Sequence, residues 1–140
     1  MTKSDIYVLD SYALIGYLEN EVFAELIQDL LLSARENQCK LFLHAIQLGE
    51  VYYITLREQG KQIADLAYAR IKDFPVSLID TINEDLLLSA ASIKASFPLS
   101  YADAFAAATA QIHNAVLLTG DPEFKTLEAN EIIQVRWLNS

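Results

Sequence analysis

Short apolar runs and longer helical stretches alternate along the chain. The short runs are typical of buried strands, which we expect at Ile6–Leu9, Lys40–Leu43, Val76–Ile79, Ala115–Leu118 and Ile132–Val135. The longer stretches predict helices at Tyr12–Glu19, Val22–Glu36, Ala45–Glu58, Gln62–Phe74, Asn83–Phe97 and Tyr101–His113. This alternation predicts an α/β sandwich around a mainly parallel sheet of four to five strands, flanked by helices.

Length and composition indicate one ordinary globular domain. The 140 residues fit a single compact unit, which we place over residues 1–140. The hydrophobic fraction of 53% and the charged fraction of 21% are not those of a disordered chain. The single cysteine, Cys39, excludes an intramolecular disulfide framework and a cysteine-based zinc site.

The chain shows neither a secretory signal nor a membrane span. Its first residues lack a basic region followed by a long apolar stretch. The longest apolar runs fall far short of the roughly 20 residues that a spanning helix needs. We therefore expect a cytoplasmic protein without a membrane partner.

The formal net charge of −9 is unusual for a protein that binds nucleic acid, because phosphate contacts usually come from Lys and Arg. Two interpretations are open on composition alone. Either the partner is not a nucleic acid, or several acids are concentrated at a site that divalent cations neutralise. The placement of the acids decides between them.

Two acids directly follow predicted strands. Asp10 comes after I-Y-V-L, and Asp121 comes after A-V-L-L-T-G. Parallel α/β sheets bind ligands beyond the carboxyl ends of their strands, and both acids would project from that edge. Each also has an ordinary structural interpretation: Asp10 as a strand-end residue or helix cap, and Asp121, which precedes Pro122, as a turn or cap residue.

Two further acids lie inside strongly apolar helical segments: Glu50 in L-G-E-V-Y-Y-I and Asp103 in Y-A-D-A-F-A-A-A-T-A. An unpaired buried carboxylate is costly, so each acid would be paired with a cationic side chain, be hydrogen-bonded or hold a metal. Four carboxylates at one edge would repel one another, and a divalent cation would resolve that conflict. Oxygen ligands favour Mg²⁺ or Mn²⁺ over zinc, and such an ion can activate water for attack on phosphorus.

The segments that carry these acids resemble the motifs of PIN-domain proteins and, within that group, of the VapC-type toxins of bacterial toxin–antitoxin pairs. The matching segments are Y-V-L-D-S-Y-A-L-I around Asp10, A-I-Q-L-G-E-V around Glu50, L-S-Y-A-D-A-F-A-A-A-T-A around Asp103 and L-L-T-G-D-P-E-F around Asp121. They follow the family's order, with family-like spacing, from about residue 5 to the C-terminus.

The resemblance implies a PIN-like three-layer sandwich and a metal-dependent endoribonuclease that acts as a toxin. It implies that RNA is cut to 5′-phosphate and 3′-hydroxyl ends by four metal-binding catalytic acids, with two supporting residues that hold the acids or a water. The acids are Asp10, Glu50, Asp103 and Asp121, and the supporting residues are Ser11 and Thr119. The implied partners are a cognate antitoxin, which inserts a segment into the acidic groove, and a second copy of the chain in a homodimer.

The chain departs from the family pattern at three positions. Gly120 precedes the last acid, where many relatives carry a basic residue that could touch phosphate. Gln47 and Gly49 stand where small hydroxyl residues or Asn are often found. These departures remove no acid, but they weaken any prediction of which RNA is cut and how fast.

Other side chains near the acids are open to two interpretations. Tyr12 could stack on an unpaired base, whereas Tyr52 and Tyr53 fit core or interface packing and would suit a homodimer. Glu123 follows Asp121 closely, and it either assists the acids or complements a helix N-terminus.

Two other classes of protein compete with the ribonuclease. A PIN-like binding or scaffolding module with weak catalysis agrees with the charge of −9, but it has no reason to retain four acids. A phosphotransfer receiver would show adjacent acids near the first strand and a late Lys, and an Asp-nucleophile phosphatase would have a second Asp where Tyr12 stands. The sequence fits those two α/β families poorly.

Overall fold

The computed structural model of the chain describes residues 5–138. Residues 1–4 and 139–140 lie outside the described residues, so parts of the predicted domain range and of the N-terminal segment do too. Within residues 5–138, every helix is too short or too polar to cross a membrane.

The described chain contains five strands and seven α-helices. The strands are β1 (Ile6–Leu9), β2 (Lys40–His44), β3 (Ser77–Ile79), β4 (Val116–Thr119) and β5 (Gln134–Trp137). The helices are α1 (Ser11–Leu18), α2 (Ala24–Arg35), α3 (Ala45–Gln59), α4 (Lys61–Lys72), α5 (Glu84–Ser96), α6 (Tyr101–Ile112) and α7 (Lys125–Ala129), with a 3₁₀ turn at Pro122–Phe124. Each predicted strand and helix is present, although β5 lies two residues later than the predicted Ile132–Val135. Helix α7 and the 3₁₀ turn are absent from the prediction because elements this short show no clear period.

All five strands are parallel, in the order β3-β2-β1-β4-β5. Because successive strand side chains point to opposite faces, Val8 and Leu117 enter one core and Leu9 and Leu118 enter the other. Helices α5, α6 and α7 cover the first core, and α1 to α4 cover the second. The predicted three-layer sandwich with a parallel sheet is therefore confirmed.

The strand order reverses direction between β1 and β4. From β1 the chain proceeds outward to β2 and β3, and from β4 it proceeds the opposite way to β5. In open α/β sheets such a reversal leaves a crevice beyond the carboxyl ends of the two central strands. The crevice between β1 and β4 is thus the expected ligand site of this fold.

Helix α6 lies beside this crevice and is buried along most of its length. Asp103 and every residue from 104 to 110 are buried, and most of them are alanines, whose small side chains let the helix lie close to the sheet. Ser100 caps the start of the helix, and its Oγ accepts a hydrogen bond from the Asp103 N–H at 3.1 Å. Asp103, in the first turn of α6, therefore lies at the edge of the sheet.

Candidate active site at the carboxyl edge of the sheet

Asp10 directly follows β1 and is only 2% exposed. Its Oδ1 accepts a hydrogen bond from the Ala13 N–H at 2.9 Å and so caps α1. The Thr119 side chain, at the end of β4, also hydrogen-bonds to this carboxylate. The cap role expected for Asp10 is confirmed, and the carboxylate is held in one orientation between two elements.

Asp121 is held by the same threonine. The Thr119 Oγ1 accepts a hydrogen bond from the Asp121 N–H at 3.0 Å, and Thr119 itself is fully buried. The Asp121 Oδ1 accepts from the Glu123 N–H at 2.9 Å and caps the 3₁₀ turn. One buried hydroxyl therefore links Asp10 and Asp121 across neighbouring strands.

Glu50 reaches the same edge from α3. The Ser11 Oγ donates a hydrogen bond to Glu50 Oε1 at 2.9 Å, which ties α3 to the first residue of α1. Asp103 reaches the edge from the first turn of α6. The structure thus brings together all four acids that the sequence singled out, and Ser11 and Thr119 contact them directly.

The most compact group of acids differs from the predicted set. Carboxylate oxygens of Asp103, Asp121 and Glu123 all lie within 4.8 Å of one another. Glu123 also hydrogen-bonds to Asp103. Asp10 and Glu50 stand around this group, close enough for their charges to act on Asp103. Glu123 therefore belongs to the cluster, although the sequence left its role open.

The acids perturb one another strongly. Burial raises the pKa of Asp10 to about 7, against the hydrogen bonds from Thr119 and Ala13 and with help from the charges of Asp121 and Glu50. Burial, the hydrogen bond with Glu123 and the neighbouring acids raise the pKa of Asp103 to about 8. The surroundings therefore disfavour the ionised forms of Asp10 and Asp103.

These properties fit a divalent cation. The donors are carboxylate oxygens, which Mg²⁺ and Mn²⁺ prefer. The charges that raise the pKa values of Asp10 and Asp103 are those of other acids, and among the described residues no Lys or Arg charge figures in either shift. A bound cation would supply the missing positive charge.

Gln47 is a positioning residue whose role the sequence did not show. Its side chain is fully buried, and its Oε1 accepts a hydrogen bond from the Ser11 N–H at 3.1 Å. Its Nε2 donates to the Ala102 carbonyl at 2.7 Å. Gln47 therefore fixes α3 to the starts of α1 and α6, beside Ser11 and Asp103. An amide within an apolar helical segment was the available signal.

The acids line a cleft of about 550 Å³. Glu50, Asp103, Asp121 and Glu123 form part of its lining, and Tyr12, Ile15, Phe23 and Ile54 contribute an apolar and aromatic side. Tyr52 and Tyr53 do not line it. The Tyr52 hydroxyl donates to Asp65 Oδ1 at 2.6 Å, which joins α3 to α4 within the chain, and Tyr53 is half exposed.

The family model of the PIN domain matches residues 7–130. This range includes every acid of the cluster. The chain therefore belongs to the PIN-domain family, which is a family of nucleases.

Several solved structures share the fold. VapBC2 from Rickettsia felis, bound to a DNA fragment from its promoter, matches with a TM-score of 0.74 and 16% identity over 96% of this chain and 99% of that one. VapBC-1 from nontypeable Haemophilus influenzae matches with a TM-score of 0.67 and 20% identity over the same shares. VapC20 from Mycobacterium tuberculosis, a Sarcin-Ricin loop cleaving toxin, matches with a TM-score of 0.66 and 17% identity over 87% and 94%. Among curated proteins, none matches this sequence.

Proposed function

We propose that this chain is a metal-dependent endoribonuclease of the cytoplasm and the toxin of a toxin–antitoxin pair. The observation that carries the proposal is the convergence of Asp10, Glu50, Asp103 and Asp121 at one edge of the sheet, each from a different segment of the chain. Acids kept for structural ion pairs would face cations. These acids face one another, as ligands of a shared cation do.

The four acids, with Glu123 added, would hold Mg²⁺ or Mn²⁺. When bound, the cation supplies the positive charge that polarises a phosphodiester and lowers the pKa of a water molecule. The remaining chemistry belongs to the chain. Thr119 holds the carboxylate of Asp10 and the backbone N–H of Asp121, and Ser11 holds the carboxylate of Glu50.

RNA is the proposed substrate because of the family likeness. The residue pattern resembles VapC-type ribonucleases, and one protein with the same fold is a toxin that cleaves the Sarcin-Ricin loop. A cation between the acids and a phosphate would also make the charge of −9 compatible with binding of RNA.

An antitoxin is the proposed protein partner. A second groove of about 550 Å³ runs between α1, α3 and α4, with Leu18, Ile63 and Leu66 in its lining. It joins the acidic cleft, because Ile15 and Glu19 line both. An amphipathic segment that carries a basic residue would fill the groove and place its cation on the acids. The VapBC structures, which contain toxin and antitoxin, have the same toxin fold.

The proposal includes a homodimer. The α3 surface expected to form it keeps Tyr53 at 50% exposure and Leu56 at 40%, whereas Tyr52 is engaged with Asp65 inside the chain. Light scattering of Tyr53→Ser beside the wild type tests this surface. A dimer that persists unchanged in the variant would exclude Tyr53 from the interface.

Cleavage of a mixed pool of structured RNA, including transfer RNAs, tests the enzyme. The wild type is incubated with Mg²⁺ or Mn²⁺ and with EDTA, and Asp10→Asn runs in parallel. We expect cutting that needs the metal and is absent in the variant. Tight binding of Mn²⁺ without cutting would be compatible with a nuclease of narrow specificity. Absence of both would favour the scaffolding module.

A further inference from the structure

His44 is buried where β2 meets α3 and is only 1% exposed. Its Nδ1 accepts a hydrogen bond from the Ile46 N–H at 3.0 Å, which caps the start of α3. Its Nε2 lies 3.2 Å from the carbonyl oxygen of Thr81, in the segment that follows β3. Because a backbone N–H only donates and a carbonyl only accepts, both contacts are hydrogen bonds only in the neutral imidazole that carries its proton on Nε2.

The surroundings of the ring favour this neutral form. Phe105 of α6 lies against the ring of His44, with ring centroids 5.8 Å apart, and is itself buried. Burial lowers the pKa of His44, against the hydrogen bond to Thr81 and the charge of Asp80. Asp80 is the charged side chain among residues 5–138 that acts on this ring. A proton added at Nδ1 would face the Ile46 N–H and break the cap of α3.

The start of α3 positions two side chains at the acidic cleft. Gln47 lies three residues after His44. Its side chain accepts from the Ser11 N–H at 3.1 Å and donates to the Ala102 carbonyl at 2.7 Å. Glu50 lies about 9 Å along the helix axis from His44, and it accepts from the Ser11 Oγ at 2.9 Å. Since a helix moves as a stiff unit, a shift of its first turn displaces both side chains relative to α1.

We infer that His44 is a positioning residue of the proposed nuclease, which holds Gln47 and Glu50 at the cleft through the start of α3 and releases them when its ring is protonated. The inference rests on the proposed function and adds a residue that acts from outside the cleft. It also gives the cleft a dependence on pH that does not arise from the acids themselves.

Two substitutions separate the two hydrogen bonds of the ring. His44→Asn places an amide oxygen near the position of Nδ1 and keeps the cap, whereas His44→Gln reaches towards the Thr81 carbonyl and loses the cap. Titration calorimetry measures Mn²⁺ affinity at pH 7, and thermal unfolding verifies the fold. His44→Gln should bind Mn²⁺ about threefold to tenfold more weakly than the wild type, and His44→Asn should bind within about twofold. Equal affinities of the two variants would overturn the inference.

Amide hydrogen exchange measures the positioning without metal. The Ser11 N–H is bonded to Gln47 but lies on α1, so its exchange reports where α3 stands rather than the cap itself. Exchange at Ser11 should be about threefold to tenfold faster in His44→Gln and unchanged in His44→Asn. The Leu86 N–H, which Asn83 caps at the start of α5 at 2.9 Å, is the control and should exchange alike in all three proteins. Unchanged exchange at Ser11 in both variants would contradict the positioning role.

The pH profile of Mn²⁺ affinity distinguishes positioning from a merely structural role. Between pH 7 and pH 5 the affinity of every variant falls as the acids of the cluster take up protons. The wild type should fall about threefold further than His44→Asn, because asparagine takes up no proton in this range. Parallel profiles would exclude release by protonation.

The same measurements separate failure of this inference from failure of the proposed function. If the wild type binds Mn²⁺ and cuts RNA, and His44→Gln does both equally well, the positioning role is wrong and the nuclease stands. If the wild type binds no Mn²⁺ and cuts no RNA, the nuclease proposal fails, and exchange at Ser11 alone decides whether His44 positions α3.

Discussion

Two clefts lie at opposite edges of the same sheet and differ in chemistry more than in size. The cleft at the amino edge is the larger, about 700 Å³, and is formed by the end of α6 and the starts of β4 and β5. The two carboxylates that line it do not face each other's charge in a buried cluster. Glu128 accepts a hydrogen bond from Trp137 Nε1 at 3.2 Å, and Glu131 is exposed to solvent. The cleft at the carboxyl edge has about 550 Å³ and contains Asp103, Asp121 and Glu123 within 4.8 Å of one another.

The comparison shows that volume alone does not identify a functional site. A helix packed on a sheet leaves space at both of its ends. Within residues 5–138, only the carboxyl edge gathers acids that raise one another's pKa values, which costs stability that a bound cation would restore. A conflict of this kind persists where it serves a function, because it has a cost in stability.

The largest expected effect is on cleavage. Asp103→Asn should lower RNA cleavage by about a hundredfold or more, since it removes a cluster carboxylate but keeps the shape of the side chain. Glu131→Gln, an equal charge change at the amino edge, should leave cleavage unchanged. Rates are measured with Mg²⁺ on one RNA substrate, and circular dichroism verifies the fold. An Asp103→Asn protein that unfolds would show that Asp103 is structural.

Gln47→Leu should give the largest loss of stability. The substitution leaves the Ser11 N–H and the Ala102 carbonyl without their buried partner, at a cost of about 2–4 kcal/mol in the free energy of unfolding. Gln111→Leu at the amino edge is the control. That exposed side chain accepts one hydrogen bond from Ser89, and its loss should cost about 0.5 kcal/mol or less. Equal losses in urea unfolding would contradict the positioning role of Gln47.

A smaller effect of opposite sign is expected for Asp103→Asn without metal. The pKa of Asp103 is raised from its ordinary value of 3.8 to about 8 in the folded chain, so the folded state binds more protons than the unfolded state between these limits. Stability therefore falls as the pH rises through this window. With EDTA at pH 8, Asp103→Asn should be more stable than the wild type by on the order of 1–2 kcal/mol, and at pH 4 the gain should vanish. If the difference in stability between Asp103→Asn and the wild type is the same at pH 8 and pH 4, the cluster of acids does not destabilise the metal-free chain.

The smallest effect concerns His44, a buried residue at the carboxyl edge whose two ring nitrogens both have hydrogen-bonding partners. Its Nδ1 accepts from the Ile46 N–H at 3.0 Å, and its Nε2 contacts the Thr81 carbonyl at 3.2 Å. Burial lowers its pKa from 6.5, so the unfolded chain takes up the proton first and stability falls as the pH drops below about 6.5. His44→Asn keeps a capping acceptor and should lose less stability than the wild type between pH 7 and pH 5. If the wild type and His44→Asn show identical pH profiles of the unfolding midpoint, protonation of His44 does not contribute to the loss of stability.

Much of the fold follows from local pattern. The apolar run before Asp10 and the run before Asp121 are strands because they are short and buried, and an acid at the end of each marks the carboxyl edge. The acids of α3 and α6 could be predicted because Glu50 and Asp103 interrupt apolar helical segments. Each of these signals, an apolar run together with its acid, lies within a few neighbouring residues of the sequence.

The remainder depends on distances that tertiary packing sets. Glu123 joins the cluster only because the 3₁₀ turn brings it back to Asp103, and a turn of this length has no period to detect. The two hydrogen bonds of Gln47 span 36 and 55 residues, so no local pattern reveals them. The sequence around Tyr52 is as apolar as that of an interface residue. In the structure, however, the Tyr52 hydroxyl donates a hydrogen bond to Asp65 of the same chain.

Binding of Mn²⁺ separates a metal site at the carboxyl edge from a cluster of acids that binds no cation. Titration calorimetry of the metal-free wild type, Asp103→Asn and Glu131→Gln compares the two edges with one ligand. We expect the wild type and Glu131→Gln to bind Mn²⁺ alike and Asp103→Asn to lose most of the affinity. Equal binding by all three proteins, or binding by none, would contradict the account.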